Sequence, residues 1–84
     1  MTYYLIMCRS LTYAQRTAAL LERVGITARI LRTPRSISDR GCSHSVKISQ
    51  RNLTDALIVL HREGMDPLRL YLIHGDGSYK EVEL

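Results

Sequence analysis

Apolar and polar positions follow two different periods along this chain, and the switches between them mark its elements. Residues 3–8 (Tyr3-Tyr4-Leu5-Ile6-Met7-Cys8) are a short apolar run ended by Arg9-Ser10, the pattern of a buried strand. Ala14, Ala18 and Leu21 then recur at helical spacing, with Thr17 and Leu20 beside them. Ser10 or Thr12 is placed to cap that helix, because a side-chain oxygen there can accept an otherwise unpaired backbone N–H. Gly25 supplies its stop. Ile26, Ala28 and Ile30 next alternate with Thr27, Arg29 and Leu31, so residues 27–32 read as a half-buried strand.

Thr33-Pro34 breaks the alternation, since proline removes a donor and biases the residue before it away from helix. Residues 33–43 (TPRSISDRGCS) therefore form a loop. Val46 and Ile48 alternate with Ser45 and Lys47, which predicts a third strand over 44–48. Ser49 is set to cap a second helix whose apolar stripe is Leu53, Ala56, Leu57 and Leu60. Gly64 and Asp66-Pro67 end that helix. Residues 69–74 form a fourth strand. Gly75-Asp76-Gly77 is a turn, and residues 79–84 follow as a short edge strand or a tail.

The order is β-α-β-β-α-β in one domain spanning residues 1–84. Right-handed crossovers put both helices on one face of a four-stranded antiparallel sheet. The expected class is α+β, with a ferredoxin-like arrangement, and the second face of the sheet is expected to be open to water or a partner.

Composition adds limits. The 84 residues have no room for a second core. There is no Trp and no Phe, so the core is aliphatic. The longest fully apolar stretch, Ala56-Leu57-Ile58-Val59-Leu60, is far short of a membrane span, and no secretory leader is legible. Cys8 lies in an apolar run and Cys42 in a polar loop, which argues against a disulfide and for a reducing, cytoplasmic setting.

The net charge of +4 is uneven. Residues 1–51 hold nine Lys/Arg and two acids, a balance of +7; residues 52–84 hold three against six, a balance of −3. Ten of the twelve bases are Arg, which favours bidentate anion contacts.

The chemically suggestive residue is Cys42. Arg35, Arg40 and His44 flank it, and Arg32 ends the preceding strand. A thiolate is the nucleophile, and nearby cations stabilise it. Gly41 permits a tight turn and close ligand approach. Ser36 and Ser38 add hydroxyls. The bland alternative is a solvated basic loop with a chance cysteine. Metal ligation is disfavoured, because Cys42, His44, His61 and His74 lack ligand spacing. RNA binding of the aromatic-platform kind is disfavoured too, since the third strand carries no aromatic. No cofactor is called for.

Residues 34–42 (Pro34-Arg35-Ser36-Ile37-Ser38-Asp39-Arg40-Gly41-Cys42), with Val24-Gly25-Ile26 ahead of them, resemble the bacterial selenium/sulfur carrier protein-like domains. Pro34, Arg35, Ile37, Ser38 and Cys42 match that pattern; Ser43 stands where the family usually has glycine. The resemblance implies that Cys42 carries sulfur or selenium as a persulfide or selenosulfide. It also implies donor and acceptor proteins as partners, and a carrier rather than an enzyme. The alternative is a basic binding or homo-oligomeric module using the open face or an edge strand. A thiol redox sensor is a third option and would need Cys8 as the resolving thiol.

Overall fold

A computed structural model describes residues 1–37 and 44–83. The elements in chain order are β1 (Tyr3–Cys8), α1 (Leu11–Arg23), β2 (Ala28–Arg32), β3 (His44–Ser49), α2 (Leu53–Arg62), β4 (Arg69–Ile73) and β5 (Tyr79–Val82). The sheet is antiparallel, with five strands in the order β2-β3-β1-β4-β5. The class is α+β, and the expected four strands become five. The added strand, β5, turns back through His74–Ser78 and pairs with β4 in the register Ile73↔Tyr79 to Leu70↔Val82. Of the two readings of residues 79–84, edge strand or tail, the strand is the one observed; three of its four residues are exposed, so no apolar alternation separates the two in the sequence.

Ser10 caps α1: its Oγ accepts the Tyr13 N–H at 3.1 Å. The helix ends at Val24, and Gly25 follows at φ 85°, a left-handed conformation that glycine adopts without strain. Ser49 does not cap α2. It precedes a short 3-10 turn, Gln50–Asn52, and makes no side-chain capping bond there. Among the described residues no helix is long and apolar enough to cross a membrane.

Side chains alternate across a strand, so β1 feeds two apolar clusters. Ile6 and Cys8 point to the helical side. There they join Ala14, Ala18, Leu20 and Leu21 of α1, Ala56 and Leu60 of α2, and Val46, Ile48 and Leu70 of the neighbouring strands. Both helices thus pack on one face of the sheet. Leu5 and Met7 point the other way and meet Tyr71 and Ile73 of β4. The expectation of an open second face is corrected here. Ile37, from the segment that follows β2, closes over this second cluster and is itself buried. A lone isoleucine in a polar loop has no periodicity to announce it. Burying it with Leu5, Met7, Tyr71 and Ile73 is favourable, because apolar surface leaves water.

Candidate functional site

The segment from 33 to 43 leaves β2 and returns as β3, so its two ends are fixed at one end of the sheet. The last row of the ladder there is Arg32, His44 and Cys8, in the register Arg32↔His44 and Cys8↔His44. One row inward, on the face away from the helices, lie Leu31, Ser45, Met7 and Arg69.

Three contacts hold the first half of the segment to the sheet. The Thr33 hydroxyl meets the Ser45 hydroxyl at 2.5 Å, and both residues are buried. Ser45 Oγ also lies 3.5 Å from Met7 Sδ, and either hydroxyl of the Thr33–Ser45 pair can be the donor. The Ile37 N–H donates to the Pro34 carbonyl at 3.0 Å, closing a turn that points the Ile37 side chain at the sheet. Tyr79 Oη, from the far edge strand, donates to the Ser36 carbonyl at 3.2 Å. Pro34 and Ile37 are thereby given a structural role: one forms the turn, the other anchors it.

Of the residues predicted for the site, Cys42, Ser38, Arg40 and Gly41 lie outside the described residues. Arg35 is exposed on the turn. His44 is half-buried as the first residue of β3. Cys8 is 1% exposed, in the helical-side core, with its thiol 3.6 Å from the Ile6 carbonyl.

The fold brings two more cations to this end of the sheet that sequence proximity does not reveal. Arg69 opens β4 opposite Met7 in the register. Arg9 follows β1, with its guanidinium carbon 5.1 Å from the centre of the Tyr13 ring. The N-terminus of α1 begins at the same end, directly after β1, and adds the positive end of the helix dipole. The strand order is the missing signal: residues 9, 32, 44 and 69 become neighbours only when β1, β2, β3 and β4 lie side by side.

Among the described residues no group of three or more His, Cys, Asp or Glu side chains comes together to hold a metal ion. His61 does pair with Asp66, Nδ1 to Oδ1 at 3.1 Å, but both are well exposed and lie on the α2 side of the molecule.

Comparison with known proteins gives one match. The family model described as "Putative Se/S carrier protein-like" covers residues 3–72, which takes in β1 through β3, both helices, all but the last residue of β4 and the whole 33–43 segment. No curated protein and no solved structure matches the chain. With most of its length matched, including Thr33, Ile37 and Ser45, which tie the cysteine-bearing segment to the sheet, the chain belongs to the Se/S carrier protein-like family.

Proposed function

We propose that the protein carries a sulfane sulfur or selenium atom on Cys42. The observation that supports this best is the family match across the segment bearing Cys42, together with the basic setting in which that segment begins and ends. Arg9, Arg32, Arg35, Arg69 and His44 belong to the strands and turn from which it departs and to which it returns. Cations stabilise a thiolate, and they equally stabilise the anionic terminal atom of a persulfide. The first four strands form a ferredoxin-like unit that β5 extends, and this unit is the rigid base for the segment.

In the loading step the Cys42 thiolate attacks the terminal sulfur of a donor persulfide, R–S–SH. The donor's S–S bond breaks, a new S–S bond forms on Cys42, and the donor leaves as its thiolate, R–S⁻. The sulfane sulfur changes hands without an external oxidant. A donor carrying selenium in the terminal position reacts in the same way. A reducing compartment such as the cytoplasm keeps Cys42 available as a thiol between cycles.

Intact mass spectrometry after incubation with a cysteine desulfurase and cysteine tests this reading. One added sulfur atom on the wild type, absent from Cys42→Ser, is the expected result. Ultraviolet titration should also show a thiol that ionises below an ordinary cysteine. No adduct, with a thiol that titrates at or above the ordinary value, overturns the proposal.

Among the described residues β2 is an edge strand of the sheet, which favours a second reading: a binding or oligomerisation module without thiol chemistry. A Cys42→Ser variant that retains every function of the protein in its host would favour it over the carrier.

A further inference from the structure

We propose that the β2 edge of the sheet is a docking strand for an extended acidic segment of a partner protein. β2 (Ala28–Arg32) is the outermost strand on its side of the sheet. Its backbone alternates between groups bonded to β3 and groups pointing outward. The Ala28 N–H points outward, because it donates to the Glu22 carboxylate at 2.8 Å rather than to β3. By the same alternation Ile30 and Arg32 present their N–H and C=O groups to the free edge. Ile30 is 38% exposed, a large apolar side chain in the middle of that edge.

The charge pattern selects the occupant. Arg29 lies directly opposite Lys47 in the register, a like-charge pair that costs stability in a sheet. Lys47 leans away, with its Nζ 4.3 Å from the centre of the Tyr3 ring. Arg29 is left exposed at the edge, and Arg32 is exposed on the other face of the strand. An added strand would therefore meet arginine, isoleucine, leucine and arginine in turn. Acid, apolar, apolar, acid is the complementary sequence, and it is the same in either strand direction. Glu22 already shows that the edge accepts a carboxylate: it occupies the first outward donor from within the chain.

The opposite edge differs. β5 carries Lys80 and Glu81 side by side, and so has no single sign. β2, moreover, runs directly into the segment that bears Cys42. That the docked partner is the chalcogen donor or acceptor rests on the carrier reading; the docking itself does not.

The test uses the full chain as Cys42→Ser, labelled with nitrogen-15, so that no thiol chemistry can contribute. The probe is a capped peptide, Thr-Glu-Val-Val-Glu-Thr, with Thr-Lys-Val-Val-Lys-Thr as control. The acidic peptide should shift the Ile30 and Arg32 amides and slow their hydrogen exchange. Its binding should weaken with salt, and the basic peptide should do nothing. Arg29→Glu/Arg32→Glu should weaken binding by about tenfold or more. Ile30→Pro, which deletes one outward N–H but no bond to β3, should abolish binding; if that variant fails to fold, the charge-reversed variant decides.

Equal response to both peptides, shifts confined to the apolar groove at Leu57 and Leu70, or no response at millimolar peptide overturns the proposal. So does a light-scattering mass that rises with protein concentration and is reversed by Arg29→Glu/Arg32→Glu. The edge would then be taking the Glu81-Val82-Glu83 stretch of another copy. Persulfide loading is measured separately on the wild type, so either reading can fail while the other stands.

Discussion

Thr33 and Ser45, twelve residues apart in sequence, share a buried hydrogen bond that ties the start of the cysteine-bearing segment to the strand at its end. Removing one partner leaves the other buried and unpaired, which costs about 1–3 kcal/mol; removing both is far cheaper. Thr33→Val and Ser45→Ala should each lower the urea midpoint, and the double variant should fall by less than the sum. Full additivity in this double-mutant cycle would show that the bond contributes nothing to stability.

Ile37→Ala should destabilise the protein by about 2 kcal/mol, the low end for truncating a buried isoleucine, because the segment can relax over the gap. The same variant should speed hydrogen exchange at Leu5, Met7, Tyr71 and Ile73, its neighbours on the second face. Unchanged exchange there would mean that Ile37 does not seal the cluster.

Thr17 lies on the buried face of α1 at 1% exposure, and among the described residues its hydroxyl has no hydrogen-bond partner. Thr17→Val keeps the shape and removes the unpaired polar group. It should raise stability by about 1 kcal/mol, read as a higher denaturant midpoint. A loss of similar size would reveal that the hydroxyl is satisfied in solution.

Asp76 sits in the turn before β5. The Ser78 hydroxyl donates to its carboxylate at 2.7 Å and the Ser78 N–H at 2.9 Å, and these bonds hold its pKa below the ordinary carboxylate value. A depressed folded-state pKa gives stability that is present above the unfolded pKa and is lost as pH falls through the folded one. The stability difference between wild type and Asp76→Asn should therefore be greatest near neutral pH and shrink in strong acid. A difference that does not change with pH would remove this assignment.

The helices and the inner strands were legible because their apolar positions keep a clean period. Ala14, Ala18 and Leu21 are buried in α1, Ala56 and Leu60 in α2, and Leu5 through Cys8 in β1. What the sequence left open or did not show shares a cause, which is that tertiary contact rather than pattern decides it. Ile37 stands alone among polar neighbours. Thr33 is polar yet buried, because Ser45 satisfies it. β5 is nearly all exposed and forms because the turn at 74–78 delivers it to the β4 edge. At the candidate site, Arg35 and His44 were legible from their closeness to Cys42 in sequence. Arg9 and Arg69 were not, since only the strand order gathers them.

β1 is apolar toward both sides of the sheet, and this bears on folding fidelity. In a sheet with one wet face, a strand that slips by a single residue turns its apolar side chains to water and is rejected. Leu5 and Met7 could trade places with Ile6 and Cys8 without that penalty, so hydrophobicity alone does not reject the wrong alignment of β1. The neighbouring Ser45 supplies the missing check. A slip of β3 would turn its hydroxyl into the aliphatic layer beneath the helices, away from Thr33, and leave it unpaired there. One polar contact in an otherwise oily sheet thus acts as a proofreading mark for strand alignment, and the strand ends that carry Arg9, Arg32, His44 and Arg69 come level only when it is made.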